Sequence, residues 1–214
     1  MTPISDGLRK LLGQEGIEQA KQYEPVQPAY RNAHEAYAMP MDNDAWYSGF
    51  CKMYEAMWER PYEPCDESKR LVMYFNKSDM KKGALVMGKP GNGKTTILQT
   101  LSRLLTYTDQ PRFDVYYVPV IVNNFSKHGA IAIDECIRRP ACIDDIGAEV
   151  SAMHYGLKLN MSTELIEKRY VNNVVTHYTT NLMPEELREY VGERAYDRLK
   201  KQCELFVFKS DSKR

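Results

Sequence analysis

The chain has 214 residues, 43 % of them hydrophobic, which is enough for one ordinary domain with a packed core and a small extension. Lys+Arg and Asp+Glu balance at 29 each, which excludes a global electrostatic pull toward nucleic acid or an acidic membrane, so any nucleic-acid contact must come from a local patch. No apolar run approaches the ~18 residues of a membrane span, and Met1 to Gly16 lack a signal-peptide pattern. Cys51, Cys65, Cys136, Cys142 and Cys203 include no C-x-x-C pair, which argues against a zinc ribbon and for unpaired thiols in a reducing cytoplasm.

Residues 1–65 hold Pro3, Pro25, Pro28, Pro40, Pro61 and Pro64, which bracket short segments, so this region reads as short helices joined by loops. Ser5 is placed to cap a first helix through Leu8, Leu11 and Leu12. Over Asp44–Arg60, Trp46, Phe50, Met53, Tyr54, Met57 and Trp58 recur at helical spacing and form one broad apolar face. That face either packs on the core of the following domain or docks another protein. A helix is expected from Asp66, with Leu71, Tyr74 and Phe75 inward. Ala84-Leu85-Val86-Met87 before a glycine reads as a buried parallel strand. Ile97, Leu98, Leu101, Leu104 and Leu105 fall on one helical face. Further strands are predicted at Val115–Val122, at Ala141-Cys142-Ile143 and over Asn173–Thr180, with helical patterns between them. Strands alternating with helices imply an α/β fold with a parallel sheet covered on both faces.

Gly88-Lys89-Pro90-Gly91-Asn92-Gly93-Lys94-Thr95 is a complete G-x-x-x-x-G-K-[ST]. Gly88, Gly91 and Gly93 let the backbone turn its N–H groups toward phosphate oxygens. The helix starting near Lys94 adds its positive dipole end. Lys94 is expected to reach the β- and γ-phosphates and the Thr95 hydroxyl to bind Mg²⁺. The nucleotide-binding set is thus Gly88, Pro90, Gly91, Asn92, Gly93, Lys94, Thr95 and Thr96.

Such a loop needs an acid at the tip of a neighbouring strand. Ile131-Ala132-Ile133-Asp134-Glu135 competes with Ala141-Cys142-Ile143-Asp144-Asp145-Ile146-Gly147, and the second is preferred. Arg138-Arg139-Pro140 breaks the chain before it and Gly147 permits a turn after it. On this reading Asp144 holds Mg²⁺ through water, and Asp145 orients or deprotonates the attacking water. Asn181, at the end of Thr179-Thr180-Asn181, can hydrogen-bond the γ-phosphate or that water. Arg194 and Arg198 lie one helical turn apart, either in a salt-bridged surface or to stabilise transition-state charge on a neighbouring subunit's nucleotide.

In this order, the phosphate loop, Ile143-Asp144-Asp145-Ile146-Gly147-Ala148-Glu149, Glu167-Lys168-Arg169-Tyr170, Thr179-Thr180-Asn181-Leu182 and Gly192-Glu193-Arg194-Ala195-Tyr196-Asp197-Arg198-Leu199 resemble the AAA+ ATPases of the DnaC/DnaI helicase-loader family and the related IstB transposition ATPases. The similarity covers residues 66–214, with 1–65 as a small helical, partner-docking extension. It implies an AAA+ type P-loop NTPase binding ATP and Mg²⁺. Lys94 and Thr95 would be Walker A, Asp144 and Asp145 Walker B, and Asn181 sensor 1. Arg198 would be the arginine finger, supported by Arg194, and Arg214 a nucleotide-sensing arginine. It further implies head-to-tail homo-oligomers when ATP is bound, single-stranded DNA and a DnaB-like replicative helicase as partners, no membrane, and a bacterial, phage or mobile-element protein in the cytoplasm. Phe125, Lys127 and His128 are candidates to stack on and neutralise a strand. A transposition-accessory ATPase and a small-molecule kinase are the alternative functions.

Overall fold

A computed structural model describes residues 42–76, 82–108, 111–134, 136–148, 152–154 and 157–209, all within the unit Tyr37–Arg214. The expected helix after Ser5 and the terminal Arg214 lie outside the described residues. Helix α1, Asn43–Trp58, starts where the Asp42 carboxylate accepts from the N–H groups of Asp44 and Ala45, both at 3.0 Å, and stops at Glu59 in the left-handed region. Its aromatic face is buried. The Trp46 indole donates to the Val72 carbonyl at 2.8 Å and the Trp58 indole to the Thr100 hydroxyl at 3.0 Å. Those partners lie on α2, Asp66–Tyr74, and α3, Lys94–Leu105. Of the segment 1–65, the described part therefore shares a core with the helix that follows the glycine-rich loop.

The remaining elements are β1 (Gly83–Gly88), β2 (Asp114–Tyr117), α4 (Val118–His128), a 3-10 turn (Gly129–Ile133), β3 (Ala141–Ile146), β4 (Ala152–His154), β5 (Leu157–Leu159), α5 (Met161–Val171), β6 (Thr176–Thr180), α6 (Pro184–Val191), α7 (Glu193–Gln202) and β7 (Cys203–Phe208). Five strands form a parallel sheet in the order β2-β3-β6-β1-β7, and β4 and β5 form a separate antiparallel pair. Alternate residues of β1 serve opposite faces. Ala84 and Val86 pack with Phe50, Leu71, Leu98 and Phe206, while Leu85 and Met87 pack with Ile121, Ile143, Leu165 and Leu199. This is the expected doubly covered α/β sheet.

Three element boundaries differ from expectation, the first being β3, which runs past Ile143 to Ile146 and so carries both acids. Val115–Val122 is strand only to Tyr117, because Pro119 lacks a ladder donor and its fixed φ suits a first helical turn. Val118, Ile121 and Phe125 then recur at helical spacing and are buried. Phe125 is thereby part of the core, not a platform for bases, whereas Lys127 and His128 stay exposed. The strand expected from Asn173 begins at Thr176, because Asn173, at φ 50°, belongs to the turn that closes α5.

Candidate functional site

The loop between β1 and α3 is held in shape at both ends. Gly88 has φ +150°, and a Cβ there would lie 2.5 Å from Asn92 Nδ2 and 2.6 Å from the Phe208 carbonyl oxygen, so only glycine fits. Asn92 is buried and donates to the Phe208 carbonyl at 3.2 Å, tying the loop to the end of β7. The Thr96 hydroxyl donates to the Gly93 carbonyl at 2.9 Å in the first turn of α3. Pro90 is exposed at the crest.

Lys94 is buried beneath this loop. Its ammonium donates to the carbonyls of Gly88 (2.6 Å) and Lys89 (2.9 Å), to Asn92 Oδ1 (3.2 Å) and to Asn181 Oδ1 (2.9 Å). Burial pulls its pKa down to about 8, against the carboxylates of Asp145 and Asp144, which pull it up.

The acids come from β3. Between Ile143 and Ile146 the β3–β6 register shifts, so three steps along β3 match two along β6. This bulge falls on Asp144 and Asp145, and Asp145 takes φ +67°. Successive strand side chains ordinarily point to opposite faces, and a bulge re-aims them. Here both carboxylates find partners at the ends of neighbouring elements. Asp144 accepts from the Thr95 hydroxyl at 3.0 and 3.1 Å and from the Thr179 hydroxyl at 2.6 Å. Burial raises its pKa, opposed chiefly by the Thr179 and Thr95 hydroxyls. Asp145 accepts from Asn181 Nδ2 at 2.8 Å and from the Tyr117 hydroxyl at 3.4 Å, while its own N–H donates to Thr179 Oγ1 at 2.8 Å.

Lys94, Thr95, Asp144, Asp145 and Asn181 therefore converge in one hydrogen-bonded cluster. Thr179 and Tyr117 belong to it without having been singled out from the sequence. The signal for Thr179 is its place two residues before Asn181 on the strand beside the acids. Tyr117 carries no local motif. The hydroxyl of Thr95 and the carboxylate of Asp144 are hard oxygen donors side by side, the donor chemistry that Mg²⁺ takes from a protein when phosphate and water supply the rest. Beside the loop, Tyr54, Arg60, Tyr62 and Ser68 face Gly91 and Gly93 across a cleft of about 110 Å³.

The two arginines lie on α7, apart from this cluster. Both pair with Glu167 of α5, Arg194 at 3.5 Å and Arg198 more closely. Arg198 also lies over the Tyr170 ring, 4.6 Å from its centroid, and its side chain is 14 % exposed; that of Arg194 is 79 % exposed. The Glu-Lys-Arg-Tyr block thus meets the Gly-Glu-Arg block in space. Its own Arg169 is fully buried and donates to Thr176 Oγ1 (2.7 Å) and to the carbonyls of Arg139 (2.7 Å), Val175 (3.3 Å) and Cys136, which fixes the turn leading into β3.

Among the described residues no helix is long and apolar enough to cross a membrane. No family model and no curated protein sequence matches the chain. Solved structures do. The crystal structure of the DnaC helicase loader matches at 19 % identity with a TM-score of 0.54, over 69 % of this chain and 94 % of that one. The crystal structure of a DNA replication initiation factor matches at 15 % identity and a TM-score of 0.51, over 69 % of this chain and 48 % of that one. The crystal structure of DnaI matches at 18 % identity and a TM-score of 0.49, over 83 % and 87 %. At such identities the likeness concerns architecture, and it rests on the first two. With the parallel sheet and the loop between β1 and α3, it shows that the chain shares the α/β fold of the DnaC helicase loader structure.

Proposed function

We propose that this chain is a Mg²⁺-dependent ATPase that acts as a helicase loader or remodeller in DNA replication. The observation that carries the reading is the convergence of three separated sequence blocks. Lys94 reaches Asn181, Thr95 reaches Asp144, and Asn181 reaches Asp145. The base would sit in the cleft between Tyr62 and the loop, with the triphosphate along the N–H groups of Gly91 to Thr95. Lys94 would hold the β- and γ-phosphates. Bound Mg²⁺, held by Thr95 and Asp144, would neutralise charge on the phosphate oxygens. Asp145 orients the attacking water and takes its proton as the water oxygen bonds to the γ-phosphorus and the β–γ bridging oxygen leaves with ADP. Asn181 keeps that carboxylate in place. Of the two arginines, Arg194 has its head group largely in solvent and suits contact with a neighbouring subunit's nucleotide, with Arg198 as its brace on Glu167. A replicative helicase and single-stranded DNA are the partners that the sequence resemblance suggests.

Calorimetric titration of the folded protein with MgATP, followed by phosphate release, tests the enzyme. Binding and turnover are expected for the native chain, and Lys94→Ala should lose both. No Mg²⁺-dependent uptake by the native chain refutes the reading. Binding to single-stranded DNA and to a replicative helicase with ATP present tests the partners, and silence in both removes the loader assignment while leaving the ATPase.

A further inference from the structure

We propose that Tyr117 is a positioning residue for hydrolysis, fixing the Asp145 carboxylate from the side opposite Asn181; the inference rests on the ATPase reading above. The strand β2 pairs with β3 so that Tyr117 stands opposite Asp144. One residue on, the bulge turns Asp145 toward it, and the Tyr117 hydroxyl donates to Oδ2 at 3.4 Å while Asn181 Nδ2 donates to Oδ1 at 2.8 Å. The backbone of Asp145 is pinned as well, by its N–H to Thr179 Oγ1 at 2.8 Å. A non-glycine residue at φ +67° persists where its surroundings over-determine it, and three donor–acceptor contacts, from β2, from β6 and from Asn181 just after β6, do so here. Side-chain rotation is the freedom left to the carboxylate, and a donor on each oxygen removes it.

Packing does not account for Tyr117. Its side chain is 44 % exposed and joins neither apolar cluster, whereas its neighbours Val115 and Tyr116 each pack against one. A tyrosine kept for its ring buries the ring and leaves the hydroxyl wet. At Tyr117 the residue stays 44 % exposed and the hydroxyl turns to the acid. The position is also the N-cap of α4, where a Ser, Thr, Asp or Asn would cap the helix and tyrosine gives no side-chain cap bond. The residue gives up a capping role at a place where its length lets it reach Asp145.

The test is turnover set against binding. Phosphate release under saturating MgATP, the ATP dissociation constant and the melting temperature are measured for the native chain, Tyr117→Phe and Tyr117→Ala. Both variants should lose about three- to tenfold in kcat by a common factor, with the dissociation constant and melting temperature unchanged, because the hydroxyl alone acts. Full turnover in Tyr117→Phe overturns the inference. So does a loss that comes with weaker ATP binding or a lower melting temperature, the mark of a merely structural ring. A native chain that binds but never hydrolyses ATP refutes the ATPase reading and this inference together, whereas native turnover with an undiminished Tyr117→Phe refutes this inference alone.

Discussion

Raising the pH from 7 to 9 should weaken MgATP binding about tenfold, because Lys94 loses its proton in that window. The ammonium sits among four neutral acceptors, the carbonyls of Gly88 and Lys89 and the side-chain oxygens of Asn92 and Asn181, and burial pulls its pKa down to about 8. Only the protonated form attracts phosphate, and the triphosphate's charge holds the proton on once bound. Affinity is therefore flat below pH 8 and falls as the free protein deprotonates above it. At pH 7 about nine tenths of the free protein carries the proton and at pH 9 about one eleventh, a ratio of about ten, or ~1.4 kcal/mol. The phosphates keep their full charge over this range. Calorimetry with a non-hydrolysable ATP analogue and Mg²⁺ at pH 7, 8 and 9, in two buffers of different ionisation enthalpy, reads both the affinity and an uptake of about half a proton per nucleotide at pH 8. A dissociation constant constant within about twofold across the window, with no proton uptake, refutes the account of Lys94.

Four other outcomes follow from the geometry. Arg194→Ala should leave the melting temperature and ATP binding intact and cut turnover, most visibly at high protein concentration. Arg198→Ala should instead cost about 1–2 kcal/mol in denaturant unfolding, because Glu167 loses its closer partner. Asn92→Ala unties the loop from the Phe208 carbonyl and should weaken nucleotide binding several-fold in a fluorescent-nucleotide titration without changing the fold by circular dichroism. His177 is fully buried between Phe75 and Phe113 and accepts the Ala84 N–H at Nδ1 at 3.1 Å; burial, helped by the Arg169 charge, drops its pKa to about 3. The unfolded chain binds that proton from about pH 6.5 downward and the folded chain does not, so stability should fall by about 1.4 kcal/mol per unit between pH 6 and 3, a slope that His177→Gln should reduce in urea unfolding.

The glycine-rich loop after β1 is legible in the sequence because its constraints are local. Three glycines, a lysine and a threonine at fixed spacing need only the strand before them and the helix after them. The preference for Asp144 and Asp145 over Asp134 rests on equally local signals, the break at Pro140 and the turn at Gly147, and Asp144 is the acid found against Thr95. What stays hidden depends on register. The bulge that turns Asp144 and Asp145 to separate partners is a mismatch between β3 and β6, strands that lie far apart in the chain, and neither strand announces it. Tyr117 meets Asp145 for the same non-local reason. Phe125 beside Lys127 and His128 suggests an aromatic platform until its spacing from Val118 and Ile121 is counted, which puts it in the core.

The site gathers at the C-terminal ends of four adjacent parallel strands, where open α/β sheets bind their ligands. β1 leads into the phosphate loop, β3 brings the acids, β2 brings Tyr117, and β6, between β1 and β3, carries Thr179 and leads into Asn181. Thr179 touches Asp144 and the backbone of Asp145, and Asn181 spans Lys94 and Asp145. That makes β6 the element through which Lys94 and the two acids are joined. Under the proposed function, a γ-phosphate that draws the Lys94 ammonium toward itself takes a donor away from Asn181 Oδ1 and leaves that oxygen open to the attacking water, while the Asn181 amide still holds Asp145. A single side chain then registers the phosphate and aligns the acid. A threonine or serine hydroxyl at position 181 also donates and accepts, but through one oxygen, whereas the asparagine amide places its acceptor for Lys94 and its donor to Asp145 on two separate atoms.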